Sequence, residues 1–292
     1  MCGIIARVGD GDALGELLTG LQKLEYRGYD SAGIATRNGA GIEICKHEGA
    51  TSELRTALET RQLSGHIGVG HTRWSTHGPP SDANAHPHTD CEGRVAVVHN
   101  GIIQNHESLR CELRDRGHRF ESETDTEVVP HLIAEQLESG ADPETAFRAA
   151  VDRLEGSYAL AMMSNSTETV YATRRGSPLV LGIGADTNYL ASDVPAFLEF
   201  TDRVVYLEDD DLVAIDSDGY RITDADRVPV ERPVETIDWN ADDTQKGSYN
   251  HFMRKEIDEQ PVALRQAIEG RIVDGEAVLE PFPPGTLSDV DS

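Results

Sequence analysis

Met1-Cys2-Gly3-Ile4-Ile5-Ala6-Arg7-Val8 sets a cysteine directly behind the initiator methionine, at the head of a short apolar run. Ile4–Val8 reads as a buried strand. Aminopeptidases remove a methionine that precedes a residue as small as cysteine, so the mature chain is expected to begin with Cys2. That residue then carries both a thiol and a free α-amine. Their ordinary pKa values lie near each other, and passing the proton between them costs roughly 1 kcal/mol. One residue can therefore supply nucleophile and base. Gly3 is expected to let the backbone turn closely around a substrate. A processed but inert cysteine would share this start, so the residues that follow carry the decision.

Beyond the first strand, Leu14, Leu17, Leu18, Leu21 and Leu24 fall on one helical stripe. Further strand-like runs occur at 67–70, 95–98, 158–163, 170–172, 179–183, 204–207 and 212–215. Helical patterns fall near 53–63, 107–116, 126–137 and 143–154. Clusters of strands followed by paired helices fit a layered α+β fold better than alternating βαβ units. Periodicity is lost at 235–249, which reads as a linker. Residues 251–269 look helical, interrupted or kinked at Pro261. Residues 274–292 hold five acids and three prolines and no basic residue, so this end is expected to be disordered.

The chain has 292 residues, with 52 Asp plus Glu against 26 Lys plus Arg, a formal charge of −26. Its lysines are Lys23, Lys46, Lys246 and Lys255. Such a surface repels nucleic acid and anionic lipid. Acidic, lysine-poor composition points to a halophilic cytoplasm, where salt screens self-repulsion. The midpoint of thermal unfolding should therefore rise as KCl goes from about 0.1 to about 2 M, where the screening length shrinks to about 3 Å or less. A midpoint that stays constant would rule out this reading. Sulfate is a poor probe, because it strengthens apolar burial for other reasons. No apolar run reaches the length of a membrane span, and the start is too short in apolar residues for a secretory signal. Cys2, Cys45, Cys91 and Cys111 form no CxxC pair, so reduced cytoplasmic thiols are expected.

Six motifs then occur in order: MCGII (1–5), LEYRGYDSAG (24–33), HTRWSTHG (71–78), NAHPH (84–88), VVHNGII (97–103) and SETDTE (122–127). With KEIDEQP (255–261), this set resembles the glutaminase half of glutamine–fructose-6-phosphate aminotransferase over about residues 1–270. The resemblance implies a four-layer αββα sandwich of the N-terminal-nucleophile hydrolase type, with no cofactor. It implies a glutaminase domain over 1–234 and a linker and helical connection over 235–273, leading toward an isomerase half. The phosphate-binding loops and catalytic lysine of that half do not occur in these 292 residues. Ammonia release is thus the reaction expected of this chain by itself, with a separate isomerase chain as a partner; a homo-oligomer is compatible. Two readings stay open beside it: a subunit feeding another acceptor, such as a phosphoribosyl compound, and a non-catalytic glutamine-sensing module. Retention of Cys2, Asn100 and Gly101 together weighs against the sensor, since sensing needs no nucleophile.

Glutamine presents a carboxylate, an ammonium and a side-chain amide. Arg73, in a segment read as a loop, can grip the carboxylate in bidentate fashion, and Thr76 and His77 can add donors. The resemblance assigns these three to the carboxylate and Trp74 to a lid. Asn100-Gly101 reads either as a hairpin turn or as an oxyanion hole made of the Asn100 amide and the Gly101 N–H. The resemblance favours the second, and places Asp125 against the substrate ammonium. Thr124 and Glu127 also spell a capping box for the next helix. Arg27 and Gly28 match residues that shape the wall around the nucleophile. Six of the eleven histidines lie between 71 and 106. Their spacing matches no metal signature, so none of them is expected to bind a metal; His86 and His88 are expected in the pocket or a loop.

Overall fold

The computed structural model describes residues 2–61 and 63–238, with scattered positions between 254 and 277. The chain divides into two compact units, Met1–Asp243 and Thr244–Ser292. In the first unit the strands are β1 (Gly3–Gly9), β2 (Ser31–Asn38), β3 (Gly41–Glu48), β4 (Ile67–Arg73), β5 (His88–Thr89), β6 (Val95–Ile103) and β7 (Gly156–Ser164). They continue as β8 (Val170–Arg175), β9 (Val180–Ile183), β10 (Thr187–Ala191), β11 (Arg203–Tyr206), β12 (Leu212–Ile215), β13 (Tyr220–Thr223) and β14 (Glu235–Thr236). Two antiparallel sheets result. One has the order β14-β11-β9-β10-β1-β4-β2-β3, the other β13-β12-β8-β7-β6-β5.

Ile4, Ala6, Val8, Ile67 and Val69 from the first sheet meet Ala96, Val98, Ala159, Ala161 and Met163 from the second in one apolar core. These are alternate residues on their strands, as a pleat with one face inward requires. The intervening residues face helices. Ile5, Ile34 and Ala191 pack under α1 (Leu14–Lys23) and α2 (Thr51–Thr60) through Leu17, Leu21, Leu54 and Leu58. Val95, Val97, Leu160 and Met162 pack under α3 (His106–Asp115), α4 (Val128–Glu138) and α5 (Pro143–Val151). The fold is the α+β, four-layer αββα sandwich. With both faces covered, β1 and β6 read as nearly unbroken apolar runs. α5 shows the clearest local start signal: Asp142 accepts a hydrogen bond from the Thr145 N–H at 3.1 Å, and Pro143 takes the first helical position.

Several local expectations change. His71–Arg73 belong to β4 and are not a loop. Asn100 and Gly101 lie inside β6, paired with Ala159 and Tyr158, so they form no hairpin turn. Thr124 caps no helix: its hydroxyl meets His88 and Ser122, while Glu127 accepts from the Glu121 and Ser122 N–H groups. The helix starts one turn later than the motif implies because Glu127 serves the preceding strap. Glu235 and Thr236, assigned to the linker, pair as an edge strand with β11.

In the second unit, the described positions of the expected helix, Arg254, Ile257, Asp258, Gln260, Pro261 and Leu264, are helical. A short pair of strands, β15 (Ile272–Val273) and β16 (Glu276–Ala277), reaches into the expected tail; the rest of 274–292 lies outside the described residues. No helix among the described residues is long and apolar enough to cross a membrane.

Candidate active site

Strand register brings the motifs together. Gly3 pairs with Thr72 and Ser31 with Arg73, so Cys2 at the head of β1 lies beside the end of β4 and the start of β2. The Cys2 thiol accepts the Trp74 backbone N–H at 3.3 Å and lies 3.5 Å from the Trp74 carbonyl oxygen. Burial pushes the thiol pKa up. The Trp74 N–H, the positive charge of the chain terminus and Arg73 pull against that shift. Gly28 explains how Trp74 comes so close. A Cβ there would fall 2.6 Å from the Arg73 carbonyl carbon and 2.8 Å from the Trp74 nitrogen. Gly3 has a packing role rather than the expected turn: a Cβ would sit 2.7 Å from the Thr72 hydroxyl and 2.8 Å from Leu24.

The Cys2 carbonyl is held twice. Arg27 Nε donates to it at 2.9 Å and Asn100 Nδ2 at 2.9 Å. Arg27 is itself paired with Asp193 at 3.3 Å. The orientation of the Asn100 amide follows from His71. His71 Nε2 faces the His99 carbonyl oxygen at 2.9 Å and Asn100 Oδ1 at 3.1 Å. A carbonyl oxygen only accepts, so Nε2 carries the hydrogen, and the amide nitrogen of Asn100 must point to Cys2. Gly101 has φ +125 and a Cβ there would collide with the Ser157 carbonyl, so only glycine fits at this point of the strand. Replacing Asn100 with alanine should lower kcat for glutamine about 10²–10³-fold, the size of one oxyanion donor, with a smaller change in KM. Steady-state kinetics check this, and an unchanged kcat would remove Asn100 from the oxyanion role.

Arg73 is 4 % exposed and donates to the carbonyls of His77, Gly78 and Pro79. Its guanidinium thus shapes the loop that carries Thr76 and His77, whose side chains meet at 3.3 Å. Burial lowers the Arg73 pKa, countered by the charges of Cys2, Asp30 and Asp125, which places it electrostatically between the Cys2 thiol and the two carboxylates. Asp125 is buried and accepts the Ile103 N–H at 2.8 Å. The Trp74 ring is 46 % exposed and meets Tyr29 edge-on at 5.6 Å. Arg73→Lys should raise KM for glutamine about 10–100-fold, since a charge-assisted bond is worth about 1.5–3 kcal/mol and the fork cannot be reproduced by an ammonium. Kinetics on glutamine measure this, and a KM within twofold of the parent would count against the clamp.

Two contributors were not singled out from sequence. Asp30 accepts the Ser75 N–H at 2.7 Å, and its own N–H donates to the Arg73 carbonyl at 2.9 Å, pinning the strand end. His71 sets the amide of Asn100. Both lie inside the quoted motifs, which was the available signal. His86 lies buried in the loop ahead of β5, as expected, and His88 is buried in β5 itself. His86 stacks on His71 at 4.1 Å and meets His88 edge-on at 4.7 Å, while His99 bonds the Thr126 hydroxyl at 2.8 Å. His77 and His106 meet at 5.1 Å beside the loop. A separate cavity of about 850 Å³, lined by Lys46, Cys91 and His131 among others, includes none of the residues around Cys2.

Comparison with known proteins agrees with this geometry. A family model described as a glutamine amidotransferase domain matches residues 71–199. The chain is 46 % identical to a glutamine–fructose-6-phosphate aminotransferase (isomerizing) of Thermus thermophilus, over 96 % of this chain and 46 % of that protein. It is 48 % identical to the protein of the same name from Pyrococcus horikoshii, over 96 % of this chain and 47 % of that one. The chain therefore spans about half the length of the curated relatives it matches. Among solved structures, a glutamine phosphoribosylpyrophosphate amidotransferase from B. subtilis superposes with a TM-score of 0.67 at 26 % identity, over 77 % of this chain and 49 % of that one.

Proposed function

Because this chain carries a glutamine amidotransferase domain of the N-terminal-nucleophile type, we propose that it hydrolyses the side-chain amide of glutamine at Cys2 and supplies the ammonia for glucosamine 6-phosphate synthesis. The observation that carries this reading is the Cys2 thiol held against the Trp74 N–H, with the Asn100 amide on the adjoining carbonyl. Once Met1 is removed, the Cys2 α-amine takes the thiol proton and the thiolate attacks the amide carbon. The negative oxygen that forms is met by the second Asn100 Nδ2 hydrogen and by the Gly101 N–H. The α-ammonium returns its proton to the leaving nitrogen, and ammonia departs. Water then hydrolyses the glutamyl thioester, giving glutamate and the free thiol. Arg73, Thr76 and His77 hold the substrate carboxylate, Asp125 the ammonium, and Trp74 covers the pocket; Arg27 and Gly28 keep the nucleophile in place.

Fructose 6-phosphate is proposed as the acceptor because relatives at 46–48 % identity carry that name. The isomerase half would be the partner that receives ammonia. Incubated with glutamine, the purified 292-residue chain should release glutamate and ammonia in equal amounts. With amide-labelled glutamine, fructose 6-phosphate and an isomerase domain, the label should appear in glucosamine 6-phosphate. Absence of glutamate release by the mature chain would overturn the glutaminase reading. Glutamate release without labelled sugar would overturn only the acceptor.

A further inference from the structure

We propose that Cys91, His118 and His131 form a binding site for a zinc-class divalent ion, at the wall of the 850 Å³ cavity and apart from the glutamine pocket. Three elements deliver the ligands. Cys91 sits in the turn between β5 and β6. His118 follows α3, which ends at Gly117 (φ +96) with the His118 N–H bonded to the Leu113 carbonyl at 3.0 Å, a Schellman-type stop. His131 lies in the first turns of α4 and is buried. Each ligand is therefore placed by a backbone feature rather than by a free loop.

Their ligating atoms already have nearly the spacing an ion needs. His118 Nδ1 and His131 Nδ1 are 3.2 Å apart, and Cys91 Sγ is 3.9 Å from His131 Nδ1. All three atoms lie within 4.8 Å of one another. A tetrahedral zinc ion with its usual Zn–N and Zn–S bonds sets nitrogen ligands about 3.3 Å apart and nitrogen and sulfur about 3.6 Å apart. Cys91 Sγ also accepts the Arg119 backbone N–H at 3.4 Å and lies 3.8 Å from the Arg119 carbonyl oxygen, which fixes its position.

The outer side of each ring fits the same reading. Metal-bound imidazoles turn the other nitrogen to a carboxylate or carbonyl. His118 Nε2 lies 3.6 Å from Glu135, and His131 Nε2 lies 3.9 Å from Glu127. His131 Nε2 is buried and makes no hydrogen bond, which a simple histidine pair leaves unexplained. With an ion on the Nδ1 side, both Nε2 atoms become donors aimed at these carboxylates. Cys91 and His131 border the cavity, so the fourth position opens toward it and takes water. Binding displaces the Cys91 thiol proton to solvent and changes no oxidation state.

Cobalt(II) serves as the spectroscopic probe, added to the full chain carrying Cys2→Ala so that the nucleophile does not compete. One equivalent should bind, with the intense visible bands of a tetrahedral site and a thiolate charge-transfer band, and zinc should displace it. Cys91→Ser should abolish the charge-transfer band, while Cys45→Ser and Cys111→Ser keep it. Glu135→Gln should weaken zinc binding about 10–100-fold, the range for an outer carboxylate. Cys91 is exposed, so its serine variant should stay folded, and circular dichroism verifies this. Absence of saturable binding at one equivalent, or an unchanged spectrum in Cys91→Ser, would overturn the site.

Discussion

Replacing Cys2 with alanine is expected to reduce glutamate release on the order of 10⁴-fold or more, with little change in the unfolding midpoint. The effect is large because no other group can take over the covalent step. Stability should hardly move: Cys2 is only half-buried and its thiol contributes one weak bond, from the Trp74 N–H at 3.3 Å. A second variant separates base from nucleophile. A chain that keeps Met1, or a tag ahead of it, still has the thiol, but its α-nitrogen is an amide and cannot accept a proton. Burial raises the thiol pKa, so very little thiolate forms without a base beside it. Rates for the retained-methionine form should fall nearly as far as for Cys2→Ala. Normal turnover by a chain that mass spectrometry shows to be unprocessed would contradict the amine's role.

Acid should destabilise this protein progressively as pH falls below about 6.5. Burial lowers the pKa of His71 to about 3, and burial likewise lowers His86, His88 and His99. In the unfolded chain each titrates near 6.5. Below that value the unfolded state takes up protons that the folded state refuses, so stability is intact above about pH 7 and is lost as pH falls. Each such histidine costs about 1.4 kcal/mol per pH unit. At pH 5.5 His71 alone contributes about 1.4 kcal/mol, and burial of His86, His88 and His99 acts in the same direction. Glu127 does not share this window. Burial opposes its ionisation, but the nearby His131 imidazole and hydrogen bonds from the Ser122 hydroxyl and the 121–122 backbone bring its pKa down to about 2. Its contribution is present above the unfolded value near 4.3 and is lost only as pH falls toward 2. Urea midpoints at pH 7.5 and 5.5 decide the matter, and equal midpoints would mean that the histidines take protons in the folded state.

Much of the scaffold can be read from periodicity. The stripe from Leu14 to Leu24 becomes α1, and the apolar runs of β1, β6, β7 and β12 are strands buried on both faces. The strands not recognised, β2, β3, β5, β10, β13, β14, β15 and β16, are short, polar or at an edge. Ser31–Asn38 contains Ser, Gly, Thr, Arg and Asn, and Thr36 is buried at 0 % exposure by neighbours distant in sequence. Such a strand exists because Ile34 and Ala35 find opposite cores, which no local window reveals. Two sheets stacked between helices came from resemblance alone. At the site, residue types announced the chemistry but not the support. Arg73 fitted the carboxylate by its chemistry and Asp125 came with the resemblance, whereas the role of Gly28 depends on a backbone approach from residues 73–74. The orientation of Asn100 depends on His71, a neighbour only after the sheets are stacked.

β1 occupies an interior place in the eight-stranded sheet, with β4 on one side and β10 on the other. Ile5 pairs with Gly70 and also with Ala191. On the ribosome, the first neighbour is made early and the second far later. At about 5–20 residues per second, the interval between them is roughly 6–25 s. During that time the N-terminal strand has one unpaired edge. Once β10 docks, Ile5–Val8 gain their second partner strand and Ser192 accepts the Ile4 N–H at 2.8 Å. Synthesis order thus leaves the strand behind Cys2 held on one side only until most of the first unit has been made.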